Sequence, residues 1–138
     1  MIHMRKIIYI ILGITAIVIA VFFQSEKNIE TEPDVVNCIR FERNEILTVV
    51  ANRNNIDDIT AFSEQLIEMR KNNAFQSVKF SDDLGYAQSL KIVVYLSEKE
   101  VEKAEPYMIA EYKPIENEAD YDIVNNPDMY ELNIEICF

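Results

Sequence analysis

Residues 7–23 form an almost unbroken apolar run, interrupted only by Gly13 and Thr15. No face of it is polar, so it does not read as a helix half-buried in a core. Beyond it the pattern changes character several times. Residues 24–35 are polar and aperiodic and contain Pro33, which is the composition of a tether. In residues 38–42, Ile39 and Phe41 alternate with Cys38, Arg40 and Glu42, and Arg43-Asn44 offers a turn before the β-branched run 46–51, so the two segments are predicted to form a hairpin.

Ile56, Ile59, Phe62, Leu66 and Met69 recur at intervals of three and four, predicting a helix over 56–72. Asn55 is placed to cap it, Asp57 and Asp58 to meet the positive end of its dipole, and Arg70 and Lys71 the negative end. Asn72-Asn73 suits a left-handed exit. Two strands are predicted at 75–81 and 90–96, around a turn at Asp82-Asp83-Leu84-Gly85. Ser97-Glu98-Lys99-Glu100 has the form of a capping box opening a short helix with Val101, Ala104 and Met108 on one face, ended or kinked by Pro106. Residues 112–128 read as an acidic loop between Pro114 and Pro127. A last strand then places Tyr130, Leu132, Ile134, Ile136 and Phe138 on one face.

The fold class expected is α+β: a small antiparallel or mixed β-sheet packed by one main helix and preceded by a single N-terminal transmembrane helix. Its divisions are a cytoplasmic flank (1–6), an anchor or signal segment (7–23), the tether (24–35) and an exported domain (36–138). Arg5 and Lys6 precede the apolar run and Glu26, Glu30, Glu32 and Asp34 follow it, so the charge bias keeps the N-terminus in the cytoplasm and sends the rest across. Val18-Ile19-Ala20 only loosely fits a cleavage site. The expected location is a bacterial inner membrane, single-pass, with the C-terminal domain periplasmic.

All 24 acids and 11 of the 13 bases lie beyond the run, giving the exported part −13, against −11 for the whole chain. From residue 98 onward, 12 acids face 3 bases. That balance excludes nucleic acid as a partner, since phosphates require Lys and Arg. The single histidine is His3, on the flank, so the exported part lacks Ser-His-Asp and Cys-His systems and the usual zinc ligands. Its one glycine, Gly85, leaves no phosphate-cradling loop. No enzyme, cofactor or metal is expected, although nothing in the pattern excludes a carboxylate pair.

Cys38 and Cys137 both fall in the exported part, on the less buried faces of the first and last strands. In an oxidising compartment such a pair is expected to be bonded, for about 4 kcal/mol in the chain-entropy picture; the alternatives are two inert thiols or a redox pair, for which neither a Cys-x-x-Cys motif nor a basic neighbour of Cys137 is present. Glu116, Glu118, Asp120 and Asp122 recur at every second position and would align four carboxylates if extended. With Tyr112 and Tyr121 as aromatic anchors they make a candidate surface for a basic protein partner, beside the plainer reading of a solvated loop; a calcium loop comes last, since Asp120-Tyr121-Asp122 lacks the glycine turn and distal glutamate of an EF-hand.

The short N-terminal anchor, the tether after Val21-Phe22-Phe23-Gln24-Ser25-Glu26-Lys27, the small α+β domain and a cysteine near each end together resemble the membrane-anchored periplasmic immunity proteins of the colicin M and pesticin type. The resemblance implies an inhibitor that binds a bacteriocin or wall-targeting toxin in the periplasm, with Cys38 and Cys137 as its stabilising bridge. No binding residue carries over, because no motif between the cysteines matches. The alternative is a non-catalytic accessory subunit of an envelope complex, meeting other membrane proteins through the apolar segment.

Overall fold

The computed structural model describes residues 2–27, 31–117 and 120–137, with side chains over 3–17 in the first helix. Two compact units separate at the Glu30/Thr31 boundary. The first unit is α1, Ile2–Lys27, an uninterrupted helix in which Thr15 turns its hydroxyl back onto the Ile11 carbonyl at 2.8 Å. Its apolar side chains stand exposed from Ile7 to Ile17.

The expected transmembrane helix is overturned: no helix among the described residues is long and apolar enough to cross a membrane. Seventeen residues, 7–23, rise about 25 Å as a helix, while a hydrocarbon core measures about 30 Å. Extending α1 through Gln24, Ser25, Glu26 and Lys27 adds polar length only.

Of the expected tether, residues 24–27 lie in α1, residues 28–30 lie outside the described residues, and Thr31 belongs to the second unit. There the Thr31 hydroxyl donates to the Asn52 carbonyl at 2.8 Å, and Asn52 Nδ2 donates to Glu32 O at 2.9 Å.

The second unit is built on a five-stranded mixed sheet in chain order: β1 (Asp34–Phe41), β2 (Asn44–Val50), β3 (Ser89–Tyr95), β4 (Met108–Pro114) and β5 (Tyr130–Ile136). β2 and β3 run parallel and the other neighbours antiparallel. A parallel pair requires a crossover, and α2 (Ile59–Lys71) lies in it. α2 starts later than its apolar stripe suggests, because Asp58 rather than Asn55 is the cap, accepting from Ala61 N at 2.9 Å. It ends as the paired asparagines imply: Asn73 is left-handed at φ 53°, with Asn73 N on Arg70 O and Ala74 N on Met69 O.

One face of the sheet is buried. Leu47 and Val49 of β2, Leu90, Ile92 and Val94 of β3, and Met108 and Ala110 of β4 form a core with Phe62, Leu66 and Ile67 of α2. The α+β layering of the expectation is present, but three of its details change. Residues 75–81 are not a strand: Asn73 takes both backbone groups of Phe80 with its side-chain amide, at 2.9 and 3.2 Å, and Lys79 Nζ caps the Phe75 carbonyl at 2.8 Å. Side chains satisfy this backbone where a neighbouring strand would otherwise do so. Met108 opens β4 rather than closing the short helix, which is only Glu98–Glu102 (α3); the Ser97 hydroxyl bonds the Glu100 carboxylate and makes no cap bond to the helix backbone. The faces of β1 are exchanged as well. Cys38 lies opposite Leu47 and packs on the core, while Ile39 and Phe41 are exposed, after a register shift between Val35 and Asn37.

The cysteine bridge is corrected too. Cys38 is in one edge strand and Cys137 immediately follows the other, so four strand spacings of about 4.8 Å, roughly 19 Å, separate them. A disulfide spans at most about 7 Å between Cα atoms. Both cysteines are free, Cys38 half-buried and Cys137 exposed. Adding a thiol reductant is therefore expected to leave the melting temperature unchanged within about 1 °C, rather than removing the several degrees a bridge supplies. Calorimetry with and without reductant measures this directly.

Candidate docking groove

Glu64, Ile67, Glu68 and Lys71 recur at three and four residues along α2 and so share one helical face. Opposite them stand Tyr112 of β4, Tyr130 and Leu132 of β5, and Pro127 from the 3₁₀ turn Pro127–Met129. Together they line an open groove of about 390 Å³. Its floor is aromatic. Tyr112 pairs across the strands with Leu132 while Pro114 pairs with Tyr130, so the two tyrosines are diagonal neighbours and stack at 4.7 Å and 24°.

Lys71 Nζ sits 5.5 Å from the centre of the Tyr112 ring and 3.3 Å from Glu68 Oε1, and the Glu68 side chain is 62% exposed. Glutamates thus edge an aromatic surface that already holds one ammonium group. The Tyr130 hydroxyl donates to Gln88 O at 2.6 Å. Burial, with smaller contributions from Asp122 and Tyr112, raises its pKa to about 12. It remains a neutral donor and anchors the floor.

The sequence-predicted surface is only partly here. Tyr112 is in the groove. Tyr121 is half-buried on the core, its carbonyl accepting from Arg43 Nη2 at 3.4 Å. Asp122 is buried and bonded within its own loop to Val124 N, Asn125 N and Asn125 Nδ2 at 2.7–2.9 Å. Glu116 and Asp120 are exposed, and Glu118 lies outside the described residues. Asp122 does not share an exposed row with Glu116 and Asp120, because Ile123 is fully buried and its N–H bonds Ala87 O, drawing the loop inward at Asp122. Sequence reasoning missed Glu64, Glu68 and Tyr130. Their helical and strand spacings were visible, but nothing local says that α2 faces β5.

Burial pushes the Asp122 carboxyl up, yet the Asn125 and Val124 donors outweigh it and hold it below its ordinary 3.8. A depressed folded-state pKa contributes stability that is present above the unfolded value and lost as pH falls through the folded one. Asp122→Asn is expected to be less stable at neutral pH by about 1–2 kcal/mol, with the difference closing as pH falls below the ordinary 3.8 and through the lower folded value. Urea melts at a series of pH values check it; parallel curves would mean that the charge is irrelevant.

Among the described residues, no group of His, Cys, Asp or Glu could hold a metal ion, and no buried side-chain polar atom lacks a partner. The groove offers recognition: stacking surface, carboxylates and one lysine. No family model, curated protein or solved structure matches the chain.

Proposed function

We propose that this chain is a non-catalytic inhibitor that binds and neutralises a basic bacteriocin or wall-targeting toxin outside the cytoplasm. The observation that carries the reading is the stacked Tyr112–Tyr130 floor edged by Glu64 and Glu68, on a chain of net charge −11. Rigid aromatics next to exposed carboxylates suit a cationic protein surface, and the overall negative field speeds its capture. The reading stands on the groove and the charge, without the membrane-spanning anchor and the cysteine bridge on which the resemblance to immunity proteins drew. It does not need α1 to span a bilayer, only export, which protease accessibility of the domain in spheroplasts tests.

The function is tested by presenting the immobilised full chain to envelope extract and to spent culture medium, read by mass spectrometry. A near-stoichiometric secreted toxin or wall hydrolase is the expected result. Its affinity should fall at least tenfold for Tyr112→Ala and for Glu64→Gln with Glu68→Gln, the second loss being larger at low salt. Capture of the cell's own membrane proteins instead would make the chain an accessory subunit of an envelope complex.

A further inference from the structure

The β1–β2 end of the sheet presents a second surface, distant in sequence from the groove residues. Two turns there carry Leu84, 92% exposed, and Phe41, 73% exposed, the highest values among the large apolar side chains described in this unit. Ile39, two residues before Phe41 on the same face, is exposed and directly opposite Ile46, itself exposed. Tyr86 adds a partly exposed ring from the second turn.

These side chains are held in place. Arg40 Nη2 donates to Gly85 O at 2.6 Å and its Nε to Glu42 O at 2.9 Å. Arg43 Nε donates to Tyr86 O at 3.0 Å, and Gln88 N to Arg43 O at 2.6 Å. The hairpin tip and the 82–86 turn are thereby joined, so presenting their apolar side chains to a partner requires little further ordering. Glu42, at φ 56°, holds the first central position of the tip in a conformation that costs a non-glycine residue about 1–2 kcal/mol.

Charge indicates the occupant. Both guanidinium groups here are turned onto carbonyls, Arg40 also approaches Glu45 and Asp82, and Lys91, beside Ile46 on β3, is shared with Glu111 at 3.9 Å. The side chains of Glu42 and Asp83, by contrast, are exposed at the rim. An apolar centre with an acidic rim repels anionic lipid, and a second copy would set the same acids against each other. We infer that this end is a second contact surface, seated in an apolar recess ringed by Lys or Arg on the protein partner. The inference rests on the reading of this chain as a protein-binding inhibitor, but not on the groove.

The test places the photo-crosslinker p-benzoylphenylalanine at Phe41, Leu84, Glu64 or Glu98 in turn, in the full chain made in its own cells. Positions 41 and 84 are expected to join the same protein, through a peptide in which Lys or Arg flanks apolar residues, while position 98 on α3 gives no adduct. Phe41→Ser should cut the adduct yield from position 84 at least tenfold with no change in melting temperature. Adducts from 41 and 84 to lipid, to a second copy, or at the level of position 98 would overturn the inference. If position 64 captures a protein and 41 and 84 do not, this surface is wrong and the inhibitor reading stands. Capture at none of them removes both.

Discussion

Arg70→Ala is expected to lose about 3–5 kcal/mol, a large share of the roughly 5–15 kcal/mol that holds a domain of this size together. The Arg70 side chain is completely buried, as is that of Glu45 to within 1%. They meet in a two-pronged pair, Nε to Oε1 at 2.6 Å and Nη2 to Oε2 at 3.1 Å, and Nη2 also reaches Asp82 Oδ1 at 2.8 Å. Phe80 lies flat beneath the guanidinium, 4.0 Å from ring centre to Cζ. Burial on its own would lower the Arg70 pKa, but the Glu45 and Asp82 carboxylates more than offset it, and the shift is upward. Alanine would leave Glu45 in the interior with Arg40, 3.7 Å away, as its remaining cation. The cost is that of a buried charge left with one longer contact in place of a two-pronged pair, not the value of the pair. Replacing both members, Glu45→Leu with Arg70→Met, should therefore recover most of the loss. Urea denaturation of the single and double variants measures both effects, and a single-variant loss under 1 kcal/mol would mean that Glu45 finds water on its own.

How far such a pair can be read from the chain illustrates what the sequence contains. Ile59, Phe62, Leu66 and Met69 announce α2 because their spacing is a local property, and the left-handed exit at Asn73 follows from residue type. Arg70, in the last turn of the same helix, reads equally well as a solvated partner of the dipole; it turns inward because Glu45 waits on β2, 25 positions earlier. β4 was hidden for a different reason. Its open face carries Glu111 and Lys113, and prolines stand at or just before its ends, so Met108, Ala110 and Tyr112 resemble a helix end and a loop until β3 and β5 are set beside them. The groove shares this dependence. Tyr112 is visible as an aromatic near acids, but its stacking partner and the glutamates of α2 are chosen by strand order. The cysteines fail on the same ground, since even numbers and compartment cannot say that β1 and β5 are opposite edges.

Phe75→Ala should be the comparable loss outside any charge, about 3–5 kcal/mol for emptying a fully buried aromatic site. Phe75 lies just after α2 in the segment expected to be a strand, and it is that segment's fully buried side chain, with Val78 and Phe80 packed on the core beside it. Its ring meets Phe80 edge-on at 6.3 Å and 66°, and Phe80 in turn supports Arg70. The loss should therefore be non-additive with Arg70→Ala, by more than about 0.5 kcal/mol, because each variant removes support from the same ring. Phe41→Ala provides the control: the same residue type at 73% exposure should change stability by no more than about 0.5 kcal/mol. Equal losses at positions 75 and 41 would mean that residues 74–81 are not attached to the core as described. A large loss at 75 and none at 41 separates the phenylalanine that builds the domain from the one that is free to meet a partner.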